Sequence, residues 1–245
     1  VWRGELQEAA YGDLTIYEHP QPDLQYAVAV DTSSGLRTSK DRGDPSCAQV
    51  IEMRTCRQVA EMHGYREPTQ WGYASARLAG YYNLAPLAIE THPSQHGLAA
   101  FIAAERYGYP KLYMQRRVES KTGAISERRG WVRSAGSTYA MHDRIREALS
   151  EGCIIRSQRL LDELSAMRYE DGKFVSDDHD DTIIAYGIAL LLRDQAFRLG
   201  IVKPEEKRPL DVADQFWARQ SQVQAVSSPS LELDERELNG VWNGV

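Results

Sequence analysis

The first sustained apolar run of the chain, Tyr26-Ala-Val-Ala-Val-Asp31, ends abruptly on a carboxylate and gives way to Thr32-Ser33-Ser34-Gly35. A short apolar run bounded by turn formers reads as a buried strand entering a loop. Cys47 to Met53 and Arg57 to His63 read as two further strands about a turn apart. Strands this close leave no room for crossover helices, so the three predict an antiparallel meander. Glu67 to Tyr82 has helical spacing through Trp71, Ala74, Leu78 and Tyr82, with Pro68 suited to the first turn. Leu84 to Glu90 is again an apolar run closing on a carboxylate. A strand reached through a helix is expected to lie parallel to its neighbour, which makes the order βββαβ.

Farther along, Gln95 to Tyr107 predicts a helix with Ser94 as its cap, and Lys111 to Arg117 a strand. Glu119 to Arg133 contains Lys121-Thr-Gly123 and Arg129-Gly130-Trp131 and reads as a basic β-hairpin outside the core. Thr138 to Ser150 and Ser157 to Met167 have amphipathic helical spacing, and Asp171-Gly172 marks a short hairpin over 168–175. From Asp180 to Leu199 the residues Ile183, Ile184, Gly187, Ile188, Leu191 and Leu192 make one apolar helical face, expected to pack on the sheet. The text then changes to Lys203-Pro204 and later Ser227-Ser-Pro229, with little periodicity. The division expected is a domain over 1–202 and a polar tail over 203–245, partly disordered, with a short helix from Asp211 to Gln220.

A chain of 245 residues, 42% hydrophobic and 26% charged, is long enough to bury a real core. It contains no run of about 18 apolar residues and Val1 to Tyr11 lacks the order of a signal peptide, so the reading is soluble and intracellular, with no membrane partner. Cys47, Cys56 and Cys153 show no CxxC spacing, which argues against a disulfide framework and a structural zinc site and for small buried hydrophobes. His92 and His96 are four apart, but Pro93 between them favours a loop over a metal-binding helix face. The net charge of −6 argues mildly against nucleic acid as a partner, yet the balance turns positive between Tyr107 and Arg168. Arg116, Arg117, Lys121, Arg128 and Arg129 line a DNA path in one reading and a solvated hairpin in the other.

The chemistry lies with the acids. Asp31 and Glu90 end strands predicted parallel and adjacent, about 4.8 Å apart, and Asp180-Asp181 open the final helix. Such carboxylates repel unless hard cations neutralise them, and Mg²⁺ or Mn²⁺ bound through oxygen is the usual solution. Two ions about 4 Å apart activate a water and stabilise a leaving oxygen, which implies phosphodiester hydrolysis. The structural alternatives are a turn-forming Asp31 and helix-capping Asp180 or Asp181. Asp177 and Asp178 read as loop charge, and His179 either orients a water or phosphate or faces solvent.

These segments resemble the nuclease domain of terminase large subunits of tailed bacteriophages, in the ribonuclease H-like superfamily. The resemblance rests on Tyr26 to Asp31 with Ser34-Gly35, Gly43-Asp44-Pro-Ser46, Tyr82-Asn83 leading into Leu87-Ala-Ile-Glu90, Gln95-His96-Gly97, Gly130-Trp131 and His179-Asp180-Asp181. Leu14 to Pro20 resembles the short entry strand that precedes the domain in that family. The fold implied is α/β: a mixed sheet with three antiparallel strands and then parallel ones, flanked by helices. The resemblance also implies metal ligation by Asp31, Glu90, Asp180 and Asp181, and cleavage of double-stranded DNA during viral genome packaging in the host cell cytoplasm. Its implied partners are the terminase ATPase domain, the small terminase subunit and the portal. No GxxxxGK[ST] motif occurs, so the ATPase half is not read in this chain, and the opening at Val1 is expected to be that of a cut-out domain or processed fragment rather than of a nuclease-only relative. Family members carry Asn near the histidine after the strand-end acid, where this chain has Thr91-His-Pro-Ser-Gln95. A Holliday-junction resolvase or integrase-type nuclease and a non-catalytic docking module of a packaging motor are the competing readings.

Overall fold

The computed structural model describes residues 9, 11–35, 44–93, 95–118, 123–170, 173–175 and 180–198. Lys121, Asp177, Asp178, His179 and the tail expected over 203–245 lie outside the described residues.

The meander and its crossover form as the pattern predicts. Strands β1 (Leu14–Ile16), β2 (Tyr26–Asp31), β3 (Ser46–Glu52) and β4 (Gln58–Gly64) precede helix α1 (Pro68–Tyr81), strand β5 (Leu87–His92) and helix α2 (Gln95–Arg106). The hairpin strands β6 (Met114–Val118) and β7 (Ile125–Arg129) lead into β8 (Trp131–Val132). Helices α3 (Ala135–Ser150) and α4 (Gln158–Ala166), the short pair β9 (Arg168–Glu170) and β10 (Lys173–Val175), and α5 (Asp181–Arg198) complete the described chain. Six strands make one sheet in the order β1-β4-β3-β2-β5-β8. β2, β3 and β4 pair antiparallel, whereas β5 joins β2, and β8 joins β5, in parallel. This is the mixed α/β sheet of the ribonuclease H-like arrangement, with the entry strand β1 added antiparallel on the β4 edge.

Strand periodicity divides the core into two layers. Tyr26, Val28 and Val30 of β2 and Leu87 and Ile89 of β5 pack with Trp71, Leu78, Phe101 and Ala104 of α1 and α2. Their neighbours Ala27, Ala29 and Ala88 pack on the other side with Met141, Ile145, Ile183, Ile184 and Ile188 of α3 and α5. The alanines on that face let α5 lie close to the sheet. The helix is buried continuously from Thr182 to Leu190, not along the single face its spacing predicts. Sheet, α3 and α4 enclose it together, and a helix apolar all round is one that is buried all round. Its one deeply placed cation, Arg193, donates from Nε to the Met53 carbonyl at 2.6 Å and stacks 4.3 Å from the Phe197 ring.

The strand predicted from Lys111 to Arg117 needs correction. Leu112 makes only an isolated parallel bridge to Leu87, and the arginine-bearing part belongs to β6, paired with β7 in a separate two-stranded sheet. Arg116 is exposed, where a core strand would bury it, and an arginine is not buried without a buried partner. The sheet instead takes the two residues of β8, anchored by buried Trp131. No helix among the described residues is long and apolar enough to cross a membrane.

Candidate active site

Val30 pairs with Ile89, so the residues that follow, Asp31 and Glu90, leave adjacent parallel strands side by side. Each lies two residues beyond an alanine of the α5 layer, Ala29 or Ala88, and so faces that layer. Both are buried, at 8% and 2% exposure. Burial pushes the Asp31 carboxyl well above the usual range, and the charge of Glu90, a hydrogen bond between the two carboxyls and the charge of Asp181 push it further. Arg133 acts against them.

Arg133 follows β8, whose Trp131 pairs with Glu90 and whose Val132 pairs with His92. Its backbone N–H donates to the His92 carbonyl at 3.1 Å, which fixes its stem beside the strand end. The guanidinium then grips Glu90 with two prongs, Nε to Oε1 at 2.5 Å and Nη2 to Oε2 at 3.0 Å. The same Nη2 lies 3.7 Å from Asp31 Oδ2. A planar fork matched to a carboxylate in this way is the strongest ion-pair geometry a side chain offers.

The third acidic position comes from the start of α5. The Asp180 carbonyl accepts the Ile184 N–H at 2.9 Å, so Asp180 begins the helix and Asp181 is its first full residue. Glu163 of α4 accepts from the Thr182 backbone N–H at 3.1 Å, from the Thr182 hydroxyl and from the Ile183 N–H, which holds this first turn in place. Burial raises the Glu163 carboxyl despite those hydrogen bonds. His142, buried on α3, is lowered by its burial and by the charge of Arg133, with Asp180 opposing. The charge of Asp180 acts on His142 and Arg133, and that of Asp181 on Asp31 and on buried Cys47.

Two glycines allow the close approach around Glu90. A Cβ on Gly97 of α2 would stand 1.6 Å from the Glu90 carbonyl oxygen. One on Gly130 would stand 2.3 Å from the Ile89 carbonyl oxygen, and Gly130 also has φ +68°, a conformation that costs other residues dearly.

The donor set fits a hard divalent cation in kind: it is all oxygen, mutually repelling and largely shielded from water. As the side chains stand, no three acidic, histidine or cysteine groups among the described residues converge on one point to hold an ion. Arg133 takes both Glu90 oxygens.

Of the basic residues read from the sequence, Arg116 is paired with Glu127 at 2.9 Å and Arg129 with Glu105 at 3.3 Å. Arg128 pairs with Gln115 across the hairpin and Arg117 with Ser126. A groove of about 1000 Å³, lined by Leu24, Leu84, Leu112 and Leu192 among others, opens at the opposite end of the sheet from the acids. Arg133, Glu163 and His142 were not among the residues read as functional from sequence. A two-residue strand carries no periodicity to announce Arg133; Trp131-Val132 ahead of the Ser134 cap is its only local signal.

No protein-family model matches the chain, and no curated protein matches it by sequence. Among solved structures it is similar to the large terminase nuclease of the thermophilic phage G20c with bound cobalt, at 16% identity and TM-score 0.55, covering 75% of this chain and 89% of that one. The same nuclease with bound magnesium matches at the same values of 16%, 0.55, 75% and 89%. The large terminase nuclease domain of Thermus phage P74-26 matches at 17% identity and TM-score 0.50, covering 75% of this chain and 87% of that one. At these identities the likeness is one of fold: this chain has the fold of the terminase nuclease domains.

Proposed function

We propose that this chain is a metal-dependent endonuclease domain that cuts double-stranded DNA during viral genome packaging in the host cytoplasm. The observation that carries the reading is the convergence of Asp31 and Glu90, from the ends of adjacent parallel strands, on the layer where Asp180 and Asp181 begin α5. Carboxylates buried side by side are costly to keep without a cationic ligand, so their presence needs a chemical reason. The neighbours in fold are nucleases, and that of phage G20c has been seen with cobalt and with magnesium bound.

In this reading Asp31, Glu90, Asp180 and Asp181 hold Mg²⁺ or Mn²⁺. Such ions, two in this reading, would supply Lewis-acid activation of a water and charge stabilisation for phosphodiester hydrolysis. Asp31 and Glu90 set the spacing of the donors through the strand register, and Glu163 fixes the α5 end through Thr182. The hairpin arginines, with Arg128 foremost because Arg116 and Arg129 already have acidic partners, contact phosphates without reading sequence. The tail beyond residue 203 serves protein partners: its polar, acidic composition suits the portal, the small terminase subunit or the ATPase domain better than DNA.

The test is nicking of a supercoiled plasmid with Mg²⁺, with Mn²⁺ and with excess chelator. Cleavage that needs either ion and follows no fixed pattern on unrelated plasmids is the expected result. Full cleavage in chelator overturns metal dependence. No cleavage under any condition favours the docking module, and a marked preference for four-way junctions over linear duplex favours the resolvase.

A further inference from the structure

Among the described residues, Arg133 is the cation placed against the proposed acidic ligands. Its fork occupies both oxygens of Glu90, while its Nη2 reaches toward Asp31. The backbone supports this placement from both sides of the residue: the Arg133 N–H is held by the His92 carbonyl, and the Ser134 hydroxyl next to it caps α3 by accepting the Ser137 N–H. Gln115 adds a further tie by accepting the Val132 N–H at 2.6 Å. The stem is thus fixed while the guanidinium, with the side chain 30% exposed, retains a route toward solvent.

A divalent ion on Glu90 would need the oxygens that the guanidinium now uses, and its charge would repel that guanidinium at a few ångströms. We infer that Arg133 is a built-in competitor of the metal: it neutralises Glu90 and Asp31, and a divalent ion loads only by drawing Glu90 away from it. The inference rests on the metal-dependent reading of the site. It adds a threshold to that reading, because the ion must displace a charge-assisted fork before it can bind. The domain then stays unloaded at ion concentrations that would fill the same acids without Arg133. A residue that merely oriented Glu90 for the ion would act with the opposite sign, since losing such support weakens metal binding by about 10–100-fold.

The sign of the change in affinity therefore decides. Mn²⁺ binding to the full 245-residue chain is measured without DNA from the loss of the free-ion electron paramagnetic resonance signal. The proteins compared are the wild type, Arg133→Ala, Arg133→Gln and Asp31→Asn. Arg133→Gln keeps a hydrogen-bond donor for Glu90 without the charge, so it remains informative if Arg133→Ala fails to fold. The expected result is Mn²⁺ binding tighter by about tenfold or more in the Arg133 variants, the scale of one hydrogen bond to a charged group. Asp31→Asn should bind more weakly than the wild type. Mn²⁺ should also raise the melting temperature of Arg133→Gln more than that of the wild type at equal concentration. Equal or weaker binding in a folded Arg133 variant overturns the competition and leaves the metal site standing. Failure of every protein to bind Mn²⁺ overturns the metal site and the competition with it.

Discussion

Asp31 and Glu90 leave neighbouring parallel strands on one face, and their carboxyls lie within hydrogen-bonding reach of each other. The pair cannot carry two full charges there without a cation close by, and Arg133 supplies one.

The two acids should therefore respond differently to neutralisation. Asp31→Asn, Glu90→Gln and Asp180→Asn are each expected to lose about 10²-fold or more in nicking, the scale of removing a transition-state charge stabiliser. In chelator, Asp31→Asn should melt at or above the wild-type temperature because it relieves repulsion. Glu90→Gln should instead lose about 2 kcal/mol, since Arg133 loses its two-pronged carboxylate partner and keeps only the longer contact with Asp31, a loss moderated by its part exposure. Asp143→Asn, exposed on α3, serves as the control. Near-normal nicking by Asp31→Asn or Glu90→Gln would remove the acids from the mechanism.

A pH dependence follows from His142. Its folded proton affinity is depressed, chiefly by burial, so between the ordinary value of 6.5 and the lower folded one the unfolded chain holds the proton and the folded chain does not. The stability of the neutral form is present above that window and is lost as pH falls through it. Thermal melting in chelator from pH 8 to 5 should show the wild type losing more stability across this range than His142→Gln. Parallel curves for the two proteins would show that His142 contributes nothing to the acid sensitivity.

The strand and helix pattern was readable because β2, β5 and α5 are long enough to carry a period, and the acids stood out because Asp31 and Glu90 fall at the ends of such strands and Asp180-Asp181 at the start of the helix. What escaped was set by contacts between distant residues. The single apolar face read on α5 became burial on nearly every side, because α3 and α4 cover the part that the sheet leaves open. Lys111 to Arg117 read as a single strand, yet its arginines belong to a hairpin, and Trp131 and Val132 take the place at the sheet edge. The roles of Arg133 and Glu163 come from distant partners: one is defined by its distance to Glu90, the other by its bonds to Thr182.

Glu163 should prove to be a positioning residue. Glu163→Ala removes an acceptor from the first turn of α5 and is expected to cost about 1 kcal/mol, with a loss of nicking larger than the loss of stability explains. Glu163→Gln keeps an acceptor oxygen and should recover much of both. If nicking by Glu163→Ala falls only in proportion to the unfolded fraction, the residue is a structural cap alone.

Truncation before Pro204 should leave nicking intact, because every residue assigned to the chemistry precedes that point. A folded truncation that loses most of its activity would draw the tail into the reaction.

The glycines at 97 and 130 make the geometry around Glu90 a matter of steps and not of slopes. Each faces a carbonyl oxygen at a distance where not even a methyl group fits, so neither position offers a small adjustment. Any side chain there forces α2 or β8 away from β5, and the spacing between Glu90 and its neighbours jumps with it. Graded tuning of ion preference in a laboratory variant must come from the other wall of the site, where the α5 turn rests on a side chain, Glu163, and not on a carbonyl of the backbone.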